Sequence, residues 1–297
     1  MTAGSARAAT DTAWLRARLG SRDYARLGAY IEATTGIRMP PNRLPMLEGR
    51  LRSRLRELGL DSFSTYCEQA LGRGGDPAEL SHLIDLATTN TTEFFREAAH
   101  FEVLARQVLP ELRAEGSRDE IFIWSAGCST GEEAYTLAMV LSEEASRNQG
   151  PRHRILATDI SRDVLRVAAR AIYPESQLRG ISGPLRERYL LRNRNRETAS
   201  VRIVPSLRQQ VTFRHLNLMD AEFAVERPVD VLFCRNVFIY FDRETQHRIL
   251  LQFFRHMNPG GYLFLGHTDT IYGLDIPLVR VAPSVYRRPP AGRREMR

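Results

Sequence analysis

The segment from Ile121 to Met139, IFIWSAGCSTGEEAYTLAM, decides the fold of the larger part of the chain. Its first four residues are apolar and are typical of a buried strand. A run of small residues that includes Gly127 and Gly131 follows, and an apolar pattern at helical spacing comes next. Glycine lets a backbone turn sharply and lets a ligand approach closely. The order of strand, glycine turn and helix therefore predicts a nucleotide-type site in an open α/β sheet.

Two glutamates at the start of the predicted helix, Glu132 and Glu133, restrict the ligand of this turn. The glycine spacing is not G-x-G-x-x-G, and no lysine follows as it does in a P-loop. The helix dipole favours carboxylates at this position, but the carboxylates would repel a phosphate group. A ligand that carries amine or hydroxyl donors is therefore expected, which favours S-adenosylmethionine over NAD or ATP.

The composition is that of a soluble globular protein. Of the 297 residues, 43% are hydrophobic and 26% are charged, and no apolar run is long enough for membrane insertion. The first residues lack the apolar core of a signal peptide. The three cysteines, Cys67, Cys128 and Cys234, show no metal-binding spacing, so we expect a cytoplasmic protein without a metal site. A net charge of +7 favours an acidic partner but does not choose between nucleic acid and protein.

The hydrophobic patterns divide the chain into domains. Residues 13–89 show helical patterns without a strand pattern, and a leucine stripe within 44–58 marks one of the helices. Residues 90–119 combine a polar linker motif with a helix. Residues 120–297 alternate strands and helices, which predicts a mostly parallel, doubly wound sheet with a small β-rich insertion at about 174–209. The predicted fold class is thus α/β, with an all-helical domain in front.

Polar residues that follow predicted strands are the first candidates for the site, because open α/β sheets bind ligands at the carboxyl ends of their strands. Asp159 ends the next strand and could accept hydrogen bonds from ribose hydroxyls, although a helix cap is an equally good interpretation of this residue alone. Arg235, Asn236 and Tyr240 follow a later buried strand. Asn217 follows another strand in the same way and could contact an adenine edge.

The polar segment TTNTTEFFRE at 88–97 separates the two predicted domains. Its hydroxyl and amide residues are typical of an N-cap cluster for the next helix. The segment is unusual in ending on two phenylalanines and an arginine. We therefore expect Arg96 to point into the site.

Five arginines lie on or just before the helix with the leucine stripe, at Arg43, Arg50, Arg52, Arg54 and Arg56. Such a run usually marks a solvated face of a helix. Few acidic residues balance it here. A docking face for an acidic partner fits the same pattern equally well, and both interpretations stay open.

Taken in order, these segments resemble the chemotaxis receptor methyltransferases, the glutamate O-methyltransferases of the CheR family. The matching segments are TTNTTEFFRE at 88–97, WSAGCSTGEEAYTLAM at 124–139, ATDIS at 157–161, FCRNVFIYFD at 233–242 and LFLGHTD at 263–269. The resemblance covers about residues 20–288, and several linked motifs are far more specific than one glycine pattern. It implies an N-terminal helical domain, a linker and a Rossmann-like methyltransferase domain with a small β subdomain. It also implies S-adenosylmethionine as methyl donor and S-adenosylhomocysteine as product.

The resemblance also assigns the residues of the site. Arg96 and Tyr240 are implied to flank the transferring methyl group as the catalytic residues. Glu133 is implied to contact the methionyl amino group, and Asp159 the ribose. With Gly127 from the glycine turn, the residues expected to bind the cofactor are Asn90, Thr92, Arg96, Glu133, Asp159, Asn217, Leu218, Arg235 and Asn236. The basic helix is implied to dock on the acidic methylation helices of a chemoreceptor.

One region departs from the pattern of the family. Members that bind the C-terminal pentapeptide of a receptor carry a glycine-containing loop in the β subdomain. The corresponding segment here, LRNRNRETASVRI at 191–203, has no glycine. We therefore predict an enzyme that methylates chemoreceptors without binding this tether.

Two other functions stay open on the sequence. A nucleic-acid methyltransferase would fit the net charge, but the arginines are not interleaved with aromatic residues that could stack on bases. A non-catalytic module that senses S-adenosylmethionine and binds a partner is the other alternative. The presence of Arg96, Glu133 and Tyr240 argues against that module. The prediction is a monomeric methyltransferase of chemoreceptors that binds no nucleic acid.

Overall fold

The computed structural model describes residues 13–114, 120–148, 151–193 and 199–290. The centre of the glycine-free loop, residues 194–198, lies outside these ranges. The described residues fall into two compact units, one ending at Thr89 and the other beginning at Asn90. Within those ranges, we find no helix that combines the length and the apolar character needed to cross a bilayer.

The first unit is all-helical. Its α-helices, which we number α1 to α5, are Ala13–Arg16, Ser21–Thr35, Leu44–Leu58, Phe63–Leu71 and Pro77–Ala87. Gly36 and Gly59 end α2 and α3 in the left-handed region, with φ of 71° and 65°. Glycine adopts this conformation without strain because it has no Cβ. Asp76 begins α5 because its side chain accepts a hydrogen bond from the amide of Ala78.

The leucine stripe of α3 lies in the core of this unit. Leu47, Leu51 and Leu55 are fully buried, at the spacing of four residues that places side chains on one helix face. This face packs against α5. Leu58, the last residue of the stripe, is 39% exposed because the helix ends there. The stripe thus explains both the helix and its orientation.

The second unit contains the strands. Strands β1 to β10 are Glu120–Ala126, Arg152–Asp159, Ile172–Pro174, Leu190–Arg192, Ser200–Ile203, Val211–His215, Val229–Cys234, Met257–Leu265, Val279–Ala282 and Val285–Arg287. Helices α6 to α12 are Ala99–Val103, Leu109–Ala114, Glu132–Asn148, Arg162–Arg170, Gly183–Tyr189, Pro205–Arg208 and Arg243–His256. A π-helical segment, Leu104–Val108, joins α6 to α7, and a 3₁₀ helix at Phe238–Tyr240 precedes α12.

Seven strands form the central sheet, in the order β6-β2-β1-β7-β8-β10-β9. The first five are parallel, and counted along the chain their order is 3-2-1-4-5, as in a Rossmann sheet. Strand β10 pairs antiparallel with β8 and with β9. All five parallel strands end at one edge, so the residues that follow them are brought together there.

The predicted β-rich insertion contains a three-stranded antiparallel sheet in the order β3-β5-β4. Tyr173 of β3 is buried, and its hydroxyl donates to the carbonyl oxygen of Thr130 in the glycine turn at 2.8 Å. Its ring packs edge-on against Phe94, with 5.0 Å between the ring centres. The insertion therefore supports both the glycine turn and the segment at 88–97.

Candidate active site

The turn after β1 has a conformation that requires glycine. Gly127 has a φ of +78°, and a Cβ at this position would lie 2.5 Å from Cγ2 of Val237. The amides of Gly127 and Cys128 both donate to the carbonyl oxygen of Thr158, at 2.8 and 2.9 Å. The turn is thus fixed to β2 on one side and lies against the loop after β7 on the other. A side chain at Gly127 would close this approach.

Asp159, at the end of β2, connects the glycine turn with the next loop. Its Oδ2 accepts a hydrogen bond from the amide of Ser129 at 2.8 Å, and its Oδ1 accepts one from the amide of Ser161 at 2.9 Å. Helix α9 is capped by the hydroxyl of Ser161, which accepts from the amide of Val164. The interpretation of Asp159 as the helix cap is therefore wrong, and its contact with a ribose stays a prediction.

Glu133 lies in the first turn of α8, the helix that directly follows the glycine turn. The Ser125 hydroxyl donates to its Oε1 at 2.7 Å, and Nη1 of Arg235 lies 3.4 Å from its Oε2. Burial raises the pKa of Glu133, while Arg235 and the hydroxyl of Ser125 oppose this shift. A buried carboxylate with a raised pKa is a group that gains from a cationic ligand.

The neighbouring Glu132 has a different environment. It is buried, and its Oε2 accepts a hydrogen bond from the Thr130 hydroxyl at 2.7 Å. Burial raises the pKa of Glu132, and the contacts that oppose this shift are hydrogen bonds rather than an arginine. The two glutamates that look equivalent in the sequence are thus separated by the fold, and only Glu133 joins the charged cluster.

Arg235 lies between two carboxylates. Its side chain is 2% exposed, and its guanidinium is 3.4 Å from Oε2 of Glu97 and 3.4 Å from Oε2 of Glu133. It also donates to the backbone carbonyl of Arg96 and stacks 5.3 Å from the ring centre of Phe101. One positive charge between two negative charges leaves a net charge of −1 in this cluster, which suits a cationic ligand.

Glu97 is a residue of the site that sequence reasoning missed. Its Oε1 accepts a hydrogen bond from Nδ2 of Asn236 at 3.2 Å, and its Oε2 accepts one from the amide of His267 at 3.3 Å. Burial alone would raise the pKa of Glu97, but Arg235 and these hydrogen bonds outweigh it and lower the pKa. Glu97 therefore joins the 88–97 segment to the loops after β7 and β8.

Four residues around this cluster adopt left-handed backbone conformations without being glycine. They are Phe95 (φ 57°), Glu97 (φ 55°), Ser129 (φ 50°) and Asn236 (φ 58°). Such residues cost about 1–3 kcal/mol each and persist where surrounding contacts hold them. Here the contacts include the amide of Phe95, which donates to the Thr136 hydroxyl at 3.2 Å. The loops that meet at the sheet edge are thus held in conformations that their sequences alone would not favour.

The linker residues predicted for the site lie along the same cluster. The carbonyl of Asn90 accepts from the Ser129 hydroxyl at 2.8 Å. Arg96 is half-buried and donates to the carbonyl oxygen of Thr91 at 3.0 Å, and its charge opposes the rise in the pKa of Glu133 that burial causes. Thr92, also half-buried, lies between them in the sequence. The structure thus brings Asn90 and Arg96 to the glycine turn and to Arg235.

The remaining predicted residues lie in loops at the same edge of the sheet. Asn217 and Leu218 follow β6, and the side-chain oxygen of Asn217 accepts from the amide of Met219 at 2.9 Å. Tyr240 is the half-buried last residue of the 3₁₀ helix after β7. Their contacts with the cofactor or the methyl group stay predictions, as do those of Thr92.

Two family models match this chain. The model for the CheR methyltransferase, SAM binding domain, matches residues 90–282, and the model for the CheR methyltransferase, all-alpha domain, matches residues 22–88. The chain belongs to the CheR methyltransferase family. The family, the helical domain followed by a Rossmann-like domain, and S-adenosylmethionine as the cofactor are thereby confirmed.

Relatives match over nearly the whole chain. A chemotaxis protein methyltransferase of Borreliella burgdorferi is 36% identical over 270 residues, which are 90% of this chain and 94% of that protein. A chemotaxis protein methyltransferase of Escherichia coli (strain K12) is 35% identical over 271 residues, which are 91% of this chain and 92% of that protein. The similarity thus includes both the helical unit and the sheet unit.

In this CheR methyltransferase, Glu97 also belongs to a cluster with two histidines that resembles a metal site. One potential ligand atom each of Glu97, His100 and His267 lies within 4.8 Å of the others. Burial lowers the pKa of His100 to about 4, so its ring is neutral at pH 7. The guanidinium of Arg235 already lies beside the carboxylate of Glu97 and would repel a cation there. The cluster is therefore better explained as an ion pair packed on histidines.

The arginines predicted to dock on a partner make contacts within the helical unit of this CheR methyltransferase. The pairs are Arg50 with the carbonyl oxygen of Leu86 (2.8 Å), Arg52 with that of Leu15 (2.6 Å) and Arg54 with the carboxylate of Glu79 (2.5 Å). Arg43 is half-buried, and Arg56 is exposed with its guanidinium 5.6 Å from the ring centre of Trp14. Docking stays a prediction, and three of the five arginines also hold the unit together.

Proposed function

We propose that this chain is a protein-glutamate O-methyltransferase that transfers a methyl group from S-adenosylmethionine to glutamate side chains of chemoreceptors. The match of the CheR SAM-binding model to residues 90–282 carries the proposal. Relatives that match most of the chain bear the name chemotaxis protein methyltransferase. The partner would be the acidic helical methylation region of a receptor.

The residues at the sheet edge fit the cofactor. S-adenosylmethionine supplies a methyl group on a sulfonium and carries a second positive charge on its amino group. With both carboxylates ionised, the cluster of Glu97, Glu133 and Arg235 has a net charge of −1, and Glu133 follows the glycine turn in the sequence. Glu133 would hold the amino group and Asp159 the ribose, with Asn217 and Leu218 at the adenine.

The chemistry of the acceptor explains why the site needs no general base. A glutamate side chain has a pKa of about 4.3 and is already ionised at neutral pH. Its carboxylate oxygen forms a bond to the methyl carbon as the carbon–sulfur bond breaks, giving a methyl ester and S-adenosylhomocysteine. The task left to the chain is alignment, which can contribute roughly 7–11 kcal/mol in favourable cases.

Arg96 and Tyr240 would align the acceptor. An arginine can direct a carboxylate by charge-assisted hydrogen bonds, but holding it too tightly would weaken it as a nucleophile. Arg96 is half-buried, and its Nη1 donates to the backbone carbonyl of Thr91 at 3.0 Å. Tyr240 would orient the acceptor or pack against the methyl group. Both roles are positional rather than acid–base.

We expect Arg96→Ala and Tyr240→Phe each to lower the kcat of methyl transfer about 100-fold, with the larger effect in Arg96→Ala. The reason is that misplacement of reacting groups by about 1 Å can cost that much. Thermal stability should change little. The measurement is transfer of a labelled methyl group to acidic receptor helices, with base-labile release of the label to identify an ester.

The matched control is Arg147→Ala. Arg147 is an exposed residue in the last turn of α8, the helix whose first turn carries Glu133. At 1.5 Å per residue, it lies about 20 Å from that end. The Arg147→Ala variant should transfer methyl groups like the wild type. Wild-type turnover in both site variants would contradict the roles of Arg96 and Tyr240, and methylation of RNA or DNA instead of receptor helices would favour a nucleic-acid enzyme.

We also propose that receptor methylation does not depend on the C-terminal pentapeptide of the receptor. The support is the glycine-free segment at 191–203. The pentapeptide should show no binding in titration calorimetry, and receptors with and without it should be methylated at equal rates. A binding isotherm with a measurable Kd would refute this prediction, while methyl transfer itself would be unaffected.

A further inference from the structure

The loop from Arg235 to Tyr240 carries three of the residues proposed for the site, and a carboxylate from another motif holds it. That carboxylate is Asp269, which is buried and follows β8 in the segment LFLGHTD. We propose that Asp269 is a positioning residue for methyl transfer, which sets the conformation of the loop and thereby places Asn236 and Tyr240. The inference rests on the roles proposed above for these two residues.

Asp269 contacts the backbone amide of Asn236, near the start of the loop. Its Oδ2 accepts hydrogen bonds from the amide of Asn236 at 2.7 Å and from the amide of Gly266 at 2.9 Å. Burial raises the pKa of Asp269, and the backbone amides of Asn236, Gly266 and Ile239 oppose this rise. Asn236 directly follows Arg235, and the loop continues through the 3₁₀ helix to Tyr240, whose amide donates to the carbonyl oxygen of Val237 at 3.2 Å. One side chain therefore fixes where this short segment begins.

The conformation that Asp269 holds is one that the loop would not adopt by itself. Asn236 has a φ of +58°, in the left-handed region. A Cβ at Gly266 would lie 2.7 Å from the backbone nitrogen of Asn236 and 2.9 Å from Oδ2 of Asp269. Only glycine at this position allows the loop after β8 to approach the loop after β7 so closely. The acceptor at Asp269 and the absence of a side chain at Gly266 thus act together.

The hydrogen bonds need an acceptor at one position. Both are accepted by Oδ2, and Oδ1 makes no hydrogen bond to any group that the structure describes. An asparagine has the same shape and can place its amide oxygen at the position of Oδ2. Asp269→Asn therefore removes the charge and keeps the acceptor, whereas Asp269→Ala removes both. The pair separates positioning by hydrogen bonds from a need for negative charge.

The sheet offers a matched control in Asp230. This buried aspartate accepts a hydrogen bond from the amide of Phe122 at 2.8 Å and one from Nδ2 of Asn258 at 2.7 Å. It lies near the start of β7, at the opposite end of the strand from the site. Asp230→Ala removes the same kind of contact from the same sheet. The thermal stability and activity of this variant show how much activity is lost through destabilisation alone.

The test compares kcat for methyl transfer and Kd for S-adenosylhomocysteine in the full-length variants, each at a temperature where thermal scans show the protein folded. Asp269→Ala should lower kcat about 100-fold, as misplacement of reacting groups does. Asp269→Asn should stay within about tenfold of the wild type, since neutral hydrogen bonds are roughly half as strong as charge-assisted ones. Asp230→Ala should match the wild type in kcat and Kd.

Two results would overturn the proposal. One is an Asp269→Ala variant that loses no more activity than Asp230→Ala, which would leave Asp269 a purely structural role. The other is Asp269→Asn as impaired as Asp269→Ala, which would show that the charge matters and not the acceptor. Asn236→Ala and Tyr240→Phe, measured in parallel, separate a failure of the proposed site from a failure of this inference. Wild-type activity in both would contradict the proposed site, whereas their impairment beside an active Asp269→Ala would contradict this inference alone.

Discussion

Replacing Arg235 with alanine should destabilise the protein by about 3–5 kcal/mol, the usual cost of removing one partner from a buried ion pair. In the wild type the guanidinium lies 3.4 Å from a carboxylate oxygen of Glu97 and from one of Glu133. The substitution removes the guanidinium that lies between these two carboxylates. The free energy of unfolding, measured by denaturant titration at pH 7, gives the size of the effect.

The effect of Arg235→Ala should depend on pH. The pKa of Glu97 is lowered in the folded protein despite its burial, because of Arg235 and hydrogen bonds. A lowered pKa contributes stability above the pKa of the unfolded chain, near 4.3, and this contribution is lost as the pH falls through the folded value. The difference between wild type and variant should therefore be largest at neutral pH and shrink in acid.

Arg227→Ala is the control for this prediction. Arg227 pairs with Glu120 and stacks 4.8 Å from the ring centre of Phe122, but its side chain is 44% exposed. Exposed ion pairs contribute about 0–1 kcal/mol. A loss of less than about 1 kcal/mol in Arg235→Ala, equal to that in Arg227→Ala, would show that the Arg235 cluster is not the buried ion pair described here.

Replacing Glu133 with glutamine should weaken cofactor binding about 10- to 100-fold, since a hydrogen bond to a charged group contributes about 1.5–3 kcal/mol. Glutamine keeps the shape and can still accept from the Ser125 hydroxyl. The charged cluster, however, changes from −1 to zero. Titration calorimetry with S-adenosylhomocysteine is a suitable measurement, because this product carries the amino group and cannot react.

The same substitution should have the opposite effect on the cofactor-free protein. Burial raises the pKa of Glu133. A raised pKa gives stability that is present below the pKa of the unfolded chain and is lost as the pH rises through the folded value. At neutral pH the ionised Glu133 is therefore unfavourable, and glutamine should raise the Tm. Weaker binding together with a higher Tm cannot result from misfolding.

Cofactor affinity of the wild type should also fall in acid as Glu133 becomes protonated, at a higher pH than for an ordinary glutamate, because burial raises its pKa. The variant should lack this dependence. Glu132→Gln is the matched control, since Glu132, at 2% exposure, is more buried than Glu133 and pairs with the Thr130 hydroxyl instead of Arg235. It should raise the Tm and leave affinity unchanged. Equal loss of affinity in both variants would contradict the assignment of the amino group to Glu133.

Much of the fold follows from local patterns in the sequence. The leucine spacing in α3 predicts one buried helix face because helical side chains repeat every 3.6 residues, and Leu47, Leu51 and Leu55 are fully buried. The alternation of strands and helices predicts a parallel sheet, whose strands end at one edge. That rule predicts Asp159, Asn217 and Arg235 at the same edge, where they end or follow β2, β6 and β7.

The site residues that the sequence did not predict share one physical cause. Glu97 and Asp269 lie within the motifs at 88–97 and 263–269, but the local sequence does not show which backbone amides their carboxylates contact. Their proposed roles depend on which backbone amides come within 3.3 Å, and those amides belong to Asn236, Gly266 and His267. The arginines of α3 show the same limitation, because Arg50 and Arg52 donate to carbonyls 36 and 37 positions away.

The sequence alone determined the order of helices and strands, the glycine turn and the family of this protein, because periodicity, caps and motifs are local along the chain. The tertiary structure decided which charges neutralise one another. Arg235 contacts the backbone of Arg96, 139 positions away, and through this approach it pairs with Glu97 and Glu133. The fold buries the side chain of Arg235 to 2% exposure, and burial makes each charge depend on its partner. Glu133 thereby differs from Glu132, although the two are adjacent in the first turn of one helix.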